Sequence, residues 1–271
     1  MRSPRRSERR LGWTLRIWVA GVAVLLLGPT LVVIPMSFSA GDTFQFPPED
    51  WSLRWYASFF SSPEWVGSLL TSIQVALLVA VVATVIGVAA AFGLDRTLWR
   101  GRGAVRSMAM APMIVPGIVT AIAIYGVFLQ WRLNGTGLGF VLAHTVLAVP
   151  FVVTTVGTSL AGYDRTVETA SASLGASWMT TFFRVTLPLV LPGVGSGFVF
   201  AFVTSLDEVV IALFLQTPDI RTLPVQMYDS VTLEIDPTIG AAASLIVVAT
   251  TLVLLIPLLV RRQPSAHRST S

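Results

Sequence analysis

The sequence predicts an all-α integral membrane protein with six transmembrane helices. Three observations support this fold class. The 271 residues are 54% hydrophobic and only 12% charged, with a mean hydropathy of +0.76, which is more apolar surface than a soluble domain of this size can bury. Six segments are apolar enough to cross a hydrocarbon core of about 30 Å, which takes roughly 20 helical residues. The arginines cluster at alternate ends of these segments.

The six segments are rich in Leu, Val, Ala and Ile and show no alternating strand pattern. Since a chain in lipid must satisfy its own backbone hydrogen bonds, each segment is predicted to be a helix. The expected spans are 17–36, 65–94, 105–131, 138–160, 194–216 and 239–260. Gly193, Gly195 and Gly197, at the start of the fifth span, are expected to permit close helix packing.

The distribution of arginine predicts the orientation in the membrane. With the N-terminus placed in the cytoplasm, 15 of the 18 arginines lie on the inner side, and Arg54, Arg132 and Arg221 lie outside. Both the basic segment 1–16 and the tail 261–271 are therefore expected in the cytoplasm. The run MRSPRRSERR is interpreted as a topology signal near anionic lipid and not as a nucleic-acid site, because a span follows directly.

The first span is expected to be retained in the mature protein. Its apolar run of about 20 residues exceeds the roughly 7–15 typical of a signal peptide, although SFSAG after it resembles a cleavage site. An external loop at 37–64 follows, in which SLRWYASFF is expected to form an interfacial helix anchored by aromatic side chains.

The longest inner loop, 161–192, has a helical pattern of its own. Glu168 falls in the first turn of a short helix, where a carboxylate suits the helix dipole. Gly175 then permits a left-handed residue and a sharp bend. Ser177 can cap a second helix, which is expected to stop before Pro188. The loop is therefore predicted to form two helices about a glycine corner.

The stretch ETASASLGASWMTTFFRVTLP in this loop resembles the EAA loop found in membrane subunits of binding-protein-dependent ABC importers of the type I fold. Four residues match the family pattern: Ala170, Gly175, Leu187 and Pro188. The family's motif glutamate falls at Thr169, and this chain has Glu168 one place earlier. SLRWYASFF, APMIVPGIVTAIA and FVFAFVTSLDEVVIALFL resemble the branch that includes permeases for spermidine/putrescine, opines and 4-aminobutyrate.

The resemblance implies an ABC transmembrane domain at 65–260 in a bacterial plasma (inner) membrane, with the EAA loop docking on a separate ATPase subunit. The residues it assigns to ATPase coupling are Glu168, Thr169, Ala170, Gly175, Leu187 and Pro188. The implied partners are an ABC ATPase dimer, a second permease subunit that is a different chain, an extracytoplasmic solute-binding protein and membrane lipid. ATP and Mg would be bound by the ATPase, so this chain is expected to be a non-enzyme with no cofactor.

The residues themselves favour this division of labour. A P-loop requires a lysine that reaches the phosphates, and all 18 basic residues of this chain are arginine. No His, Asp or Glu cluster in the sequence has the spacing of metal ligands, and no nucleophile motif is present. Neither a metal site nor a catalytic residue is therefore expected.

Asp207 and Glu208 are placed by the sequence near the middle of the fifth span. A charged carboxylate there costs roughly 2.5–3.5 kcal/mol on insertion scales, so it should face a cavity or a partner. Either one of them lines the solute path and attracts a cation, with Asp207 favoured, or the pair makes a structural contact. His144 is interpreted as a helix-packing hydrogen-bonder and not as a proton relay, because no acid is near it in sequence.

The sequence thus predicts a permease subunit of an ABC importer that moves a small cationic or zwitterionic solute inward, whether polyamine-like, an opine or amino-acid-like. Polyamine-transporting members of the branch tend to carry a further acid directly after the third-span proline, where this chain has Gly117. The alternative is an ion-driven secondary transporter, which needs no ATPase and usually shows inverted repeats; no such repeat is evident in the sequence.

Overall fold

The computed structural model describes residues 6–43, 45–96, 100–233 and 236–260. In these ranges the chain is helical apart from turns and one isolated bridge between Ser39 and Trp51. The helices are α1 (Arg6–Met36), α2 (Arg54–Ser61), α3 (Pro63–Arg96), α4 (Arg102–Met110), α5 (Gly117–Trp131), α6 (Gly137–Ala161), α7 (Thr166–Ser173), α8 (Trp178–Thr181), α9 (Leu187–Leu206), α10 (Val210–Leu215), α11 (Leu223–Thr232) and α12 (Thr238–Val260). The predicted tail 261–271 and the start of the basic segment 1–16 lie outside the described residues.

Four helical stretches of the described chain are each long and apolar enough to cross a membrane. They are Pro63–Arg96, Gly137–Ala161, Trp178–Leu206 and Thr238–Leu255. Two bent pairs bring the number to six if each pair is one span: Leu15–Gly28 with Thr30–Met36, and Arg102–Met113 with Gly117–Trp131. The second, fourth and sixth predicted spans are confirmed as continuous helices, because each apolar run has backbone hydrogen bonds within one segment.

The predicted third span, 105–131, is bent by 101° between its two halves. A 3₁₀ turn at Ala111–Met113 ends α4, and Pro116 has extended dihedral angles of φ −54° and ψ 133°. Proline lacks a backbone N–H and disfavours the α conformation in the residue before it, so the helix stops and restarts here.

The predicted fifth span, 194–216, is wrong at both ends. The helix begins at Trp178 and continues through a π turn at Phe182–Thr186 into α9. Pro188 therefore does not stop the second loop helix; it follows a turn whose hydrogen-bond pattern is already displaced, which accommodates its missing N–H. α9 ends at Leu206, so the two acidic residues after it occupy a break between helices and not the middle of a span.

The described residues within 6–63 and 229–249 form one compact unit. Within it, the Tyr56 hydroxyl lies 2.7 Å from both Ser37 Oγ and Ser244 Oγ, which joins the end of α1, α2 and α12. The aromatic segment predicted to be helical does form α2, in which Phe59 is fully buried and Phe60 is exposed.

The described residues within 64–228 and 250–260 form the second unit, in which α6 packs closely against α9. A Cβ atom added at Gly197 would lie 2.7 Å from Thr155 Oγ1, and one added at Gly193 would overlap Ser159. A Cβ atom at Gly195 would meet open space. The expected close packing is thus confirmed for two of the three glycines, since only these two face α6.

Candidate functional site

The stretch that joins α6 to the long helix, which we call the corner loop (residues 162–181), turns at Gly175. That glycine has a φ of +83°, a left-handed conformation that L side chains rarely adopt. Its N–H donates to the carbonyl of Ala172 (2.9 Å), and the N–H of Ala176 donates to the carbonyl of Ser171 (3.2 Å). These two bonds form a Schellman motif that ends α7. The predicted glycine corner is confirmed.

Hydrogen bonds of the side chains fix both helices of the corner loop. The carboxylate of Asp164 accepts from the backbone N–H of Thr166 (2.9 Å), and this bond lowers the pKa of Asp164. Ser177 Oγ accepts from the N–H of Thr180 (3.2 Å), so the predicted cap of the second helix is confirmed. The hydroxyls of Ser171 and Thr181 lie 3.0 Å apart and connect α7 to α8.

The corner loop presents apolar side chains to its surroundings. We call Val167, Leu174, Trp178 and Met179 the apolar patch; their exposed fractions are 41%, 89%, 61% and 54%. Thr169 and Ala170 are also exposed, and α7 contains no buried residue. An apolar surface on an otherwise polar loop is typical of a contact site for another protein.

Glu168 points the other way, into the protein. Its Oε1 atom accepts from Arg96 Nη2 at the end of α3 (2.5 Å) and from Thr186 Oγ1 at the end of the π turn (2.7 Å). A second ion pair joins the same two segments, with Arg165 Nη2 donating to Asp95 Oδ2 (2.6 Å).

A cavity of about 170 Å³ lies between the two ion pairs. Its lining includes Tyr163, Arg96 and Glu168. Burial raises the pKa of the Tyr163 phenol, and the Glu168 carboxylate acts in the same direction. The phenol therefore stays neutral at physiological pH.

Leu187 and Pro188 lie apart from the exposed loop surface. Leu187 opens α9 and is partly buried against the core, whereas Pro188 is exposed. Of the six residues that the motif singled out, Thr169, Ala170 and Gly175 are the ones exposed on the corner loop.

The second group of predicted residues lies at the break between α9 and α10. Both carboxylate oxygens of Glu208 accept backbone N–H groups at the start of α10, from Ile211 (2.9 Å) and Ala212 (2.9 Å). A carboxylate in this place satisfies two unpaired donors and complements the positive end of the helix dipole. Glu208 is therefore engaged in holding the backbone.

His144, on α6, is only 1% exposed and lies beside this break. Its Nδ1 atom is 2.9 Å from Ser205 Oγ on α9, and its Nε2 atom is 3.6 Å from Glu208 Oε2. The bond to Ser205 confirms that His144 connects packed helices. No acid is near His144 in sequence, but the fold brings Glu208 to it from 64 positions along the chain.

Asp207 is the exposed member of the acidic pair. It follows the last residue of α9 and lines an open cavity of about 410 Å³ with Val203, Thr204 and Glu208. Asp207 also stands at the carbonyl end of α9. Both acids line this cavity, but Glu208 is bound to backbone N–H groups, whereas Asp207 is the more exposed of the two.

Sequence reasoning missed Asp95, Arg96, Arg165 and Thr186 as partners of the loop. The sequence did carry a sign of these ion pairs. Asp95 and Arg96 end the apolar run of α3, and the oppositely charged Arg165 and Glu168 begin α7. No spacing rule places those two segments side by side. Across the described ranges, no group of three or more His, Cys, Asp or Glu side chains is arranged to hold a metal ion.

Comparison with known proteins agrees with this architecture. A profile of the family described as "Binding-protein-dependent transport system inner membrane component" matches residues 83–263. The putrescine transport system permease protein PotI of Escherichia coli K12 is 31% identical over 237 residues, which is 83% of this chain and 84% of that protein. The spermidine/putrescine transport system permease protein PotC of Haemophilus influenzae is 30% identical over 238 residues, covering 87% of this chain and 91% of that one.

A solved structure of similar fold is a bacterial ABC transporter involved in the import of the acidic polysaccharide alginate. One chain of it aligns with a TM-score of 0.67 at 16% identity, covering 96% of this chain and 98% of its own.

Proposed function

Because the chain belongs to the family of binding-protein-dependent transport system inner membrane components, and is therefore a permease subunit of an ABC importer, we propose that it carries a small cationic or zwitterionic solute inward. A polyamine is the first candidate. The relatives named for putrescine and spermidine support this choice. Opines and amino-acid-like solutes come second, since Gly117 stands where polyamine-transporting members of the branch tend to carry an acid.

The observation that supports a cationic cargo is the difference in bonding between Asp207 and Glu208, which line the same cavity. Glu208 is held by two backbone N–H groups, and its charge is offset there. Asp207 faces an open cavity and lies at the negative end of α9. Its carboxylate is thus the group in this pair that can attract a passing cation.

Energy for transport comes from another chain in this proposal. The chain contains no lysine and hence no P-loop, so ATP and Mg bind to an ABC ATPase dimer. The apolar patch is the surface on which that ATPase docks, since it is exposed and lies on the loop with the EAA pattern. A second, different permease chain and an extracytoplasmic solute-binding protein complete the importer.

The proposed orientation places the corner loop and both termini in the cytoplasm. Arg96, Arg165 and Arg184 all lie at the corner-loop end of their helices, which agrees with positive-inside asymmetry. The acidic loops around Asp50 and Asp219 then face outward and raise the local concentration of cations at the entrance.

Uptake of labelled putrescine by the complete importer in proteoliposomes tests this function. We expect uptake to require ATP and the binding protein, and Asp207→Asn to reduce it about tenfold, as loss of one charged contact predicts. Glu208→Gln is the matched control: it should lower the yield of folded complex, because it weakens the cap of α10. Normal uptake by the Asp207→Asn importer contradicts the cationic path.

Two further outcomes separate the alternatives. If an excess of 4-aminobutyrate or an opine displaces putrescine, and is itself taken up, the cargo is zwitterionic. If uptake follows a sodium or proton gradient and proceeds without ATP, the chain is an ion-driven secondary transporter and the ABC proposal fails.

A further inference from the structure

Glu168 joins three structural elements through a single carboxylate oxygen. Its Oε1 atom receives Arg96 Nη2 from α3 and Thr186 Oγ1 from the π turn, while its backbone belongs to α7. We propose that Glu168 is a positioning residue that transmits movement of the corner loop to α3 and α9, and that it is not part of the surface that the ATPase contacts. This inference rests on the proposed docking of an ATPase on the apolar patch.

A second ion pair, in which α3 supplies the acid and α7 the base, joins the same two helices as the pair of Arg96 and Glu168. Asp95 and Arg96 are neighbours at the end of α3, and they pair with Arg165 and Glu168 at the start of α7. Exchanging the partners would place Arg96 beside Arg165 and Asp95 beside Glu168, which is repulsive. The two ion pairs therefore favour this arrangement of the loop against α3.

Little else attaches α7 to the rest of the protein. α7 has no buried residue, so it gains almost no apolar contact from the body of the chain. Glu168 and Arg96 are the better shielded pair, with side chains 21% and 30% exposed. Thr186 is fully buried, which gives the junction a rigid attachment at the base of α9. A charge-assisted hydrogen bond that is partly shielded from water is stronger than a fully exposed ion pair.

The one-residue displacement of the glutamate agrees with this role. Neighbouring residues on a helix project about 100° apart, so Thr169 faces outward while Glu168 faces inward. A glutamate at the position of Thr169 would be exposed and would lack these two partners. At position 168 it bonds the loop to Arg96 and Thr186, so a displacement of the apolar patch is transmitted to α3 and α9 through Oε1.

The test measures solute transported per ATP hydrolysed by the complete importer in proteoliposomes, together with the amount of ATPase that co-purifies. Glu168→Gln should retain the ATPase but lower the transport-to-hydrolysis ratio roughly tenfold, the loss expected for one charge-assisted bond. Glu168→Arg should lower it further, and adding Arg96→Glu should restore the ratio to within about threefold of wild type, since the pair is rebuilt in reverse.

The matched control is Asp164→Asn. Asp164 is an exposed carboxylate of the same loop whose bond is to backbone, and the amide can still accept it. That variant should keep the wild-type ratio.

Three results would overturn the inference. They are a wild-type ratio in Glu168→Gln, loss of the ATPase in step with loss of transport, or no recovery in the charge-swapped double variant. If instead the proposed docking of an ATPase were wrong, the result would be distinguishable, because the wild-type chain itself would then retain no ATPase.

Discussion

Replacing Gly175 by alanine isolates the backbone strain at the corner. An added Cβ atom meets nothing within 4 Å, so the change introduces no steric overlap. The φ of +83° is what the new side chain opposes, at a cost of about 1–2 kcal/mol. The ratio of bent to unbent loop should therefore fall about 5–30-fold.

The assay is equilibrium binding of the purified ATPase to the detergent-solubilised chain. If docking needs the bent loop, the apparent dissociation constant of Gly175→Ala rises by up to that factor, because only the bent fraction binds. Gly175→Asn is the control, since asparagine tolerates left-handed backbone and should weaken binding less than about threefold. Wild-type affinity in the alanine variant, or equal losses in both variants, would refute the reasoning.

Three other predictions concern topology, docking and packing. A reporter fused after Arg262 should be cytoplasmic and one inserted at Asp50 external, because the arginine count places both termini inside; a cytoplasmic signal at Asp50 contradicts the orientation. Leu174→Asp should leave the chain monodisperse in detergent yet reduce ATPase binding at least about tenfold, since this side chain is 89% exposed and central to the patch; unchanged binding removes the patch from the docking surface. Gly197→Leu should destabilise the chain by about 1–3 kcal/mol in thermal unfolding because it forces α9 from α6, whereas Gly195→Leu should not; equal effects contradict the packing.

The sequence predicted most of the helices because one apolar run makes one helix where lipid excludes other backbone partners. It misplaced the fifth span because hydropathy alone does not show where a helix ends: α9 stops at Leu206, although the apolar run continues beyond the two acids. Pro188 was interpreted as a stop, yet a π turn before it lets the helix continue. Local rules succeeded where the hydrogen bonds are local, as at Gly175 and Ser177.

The contacts of the candidate site were less predictable because they join distant parts of the chain. Arg96 and Glu168 are 72 positions apart, and nothing in the sequence pairs them. The same holds for His144 and Glu208, whose proximity arises from the packing of α6 on α9. The sequence singled out Asp207 and Glu208 as a pair, but it did not show which of them bonds to backbone. That depends on where α10 begins, since its first N–H groups bind Glu208.

The uninterrupted helix Trp178–Leu206 has a mechanical consequence. Its 29 residues, at a rise of about 1.5 Å each, make a rod about 43 Å long. Trp178 of the apolar patch stands at one end, and Asp207 follows directly after the other. Tilting such a rod by about 5° around one end carries the other end through about 4 Å, more than the length of a hydrogen bond. In the proposed importer, a small rotation at the patch would therefore move the carboxylate of Asp207 by more than the length of a hydrogen bond, through the stiffness of the helix alone.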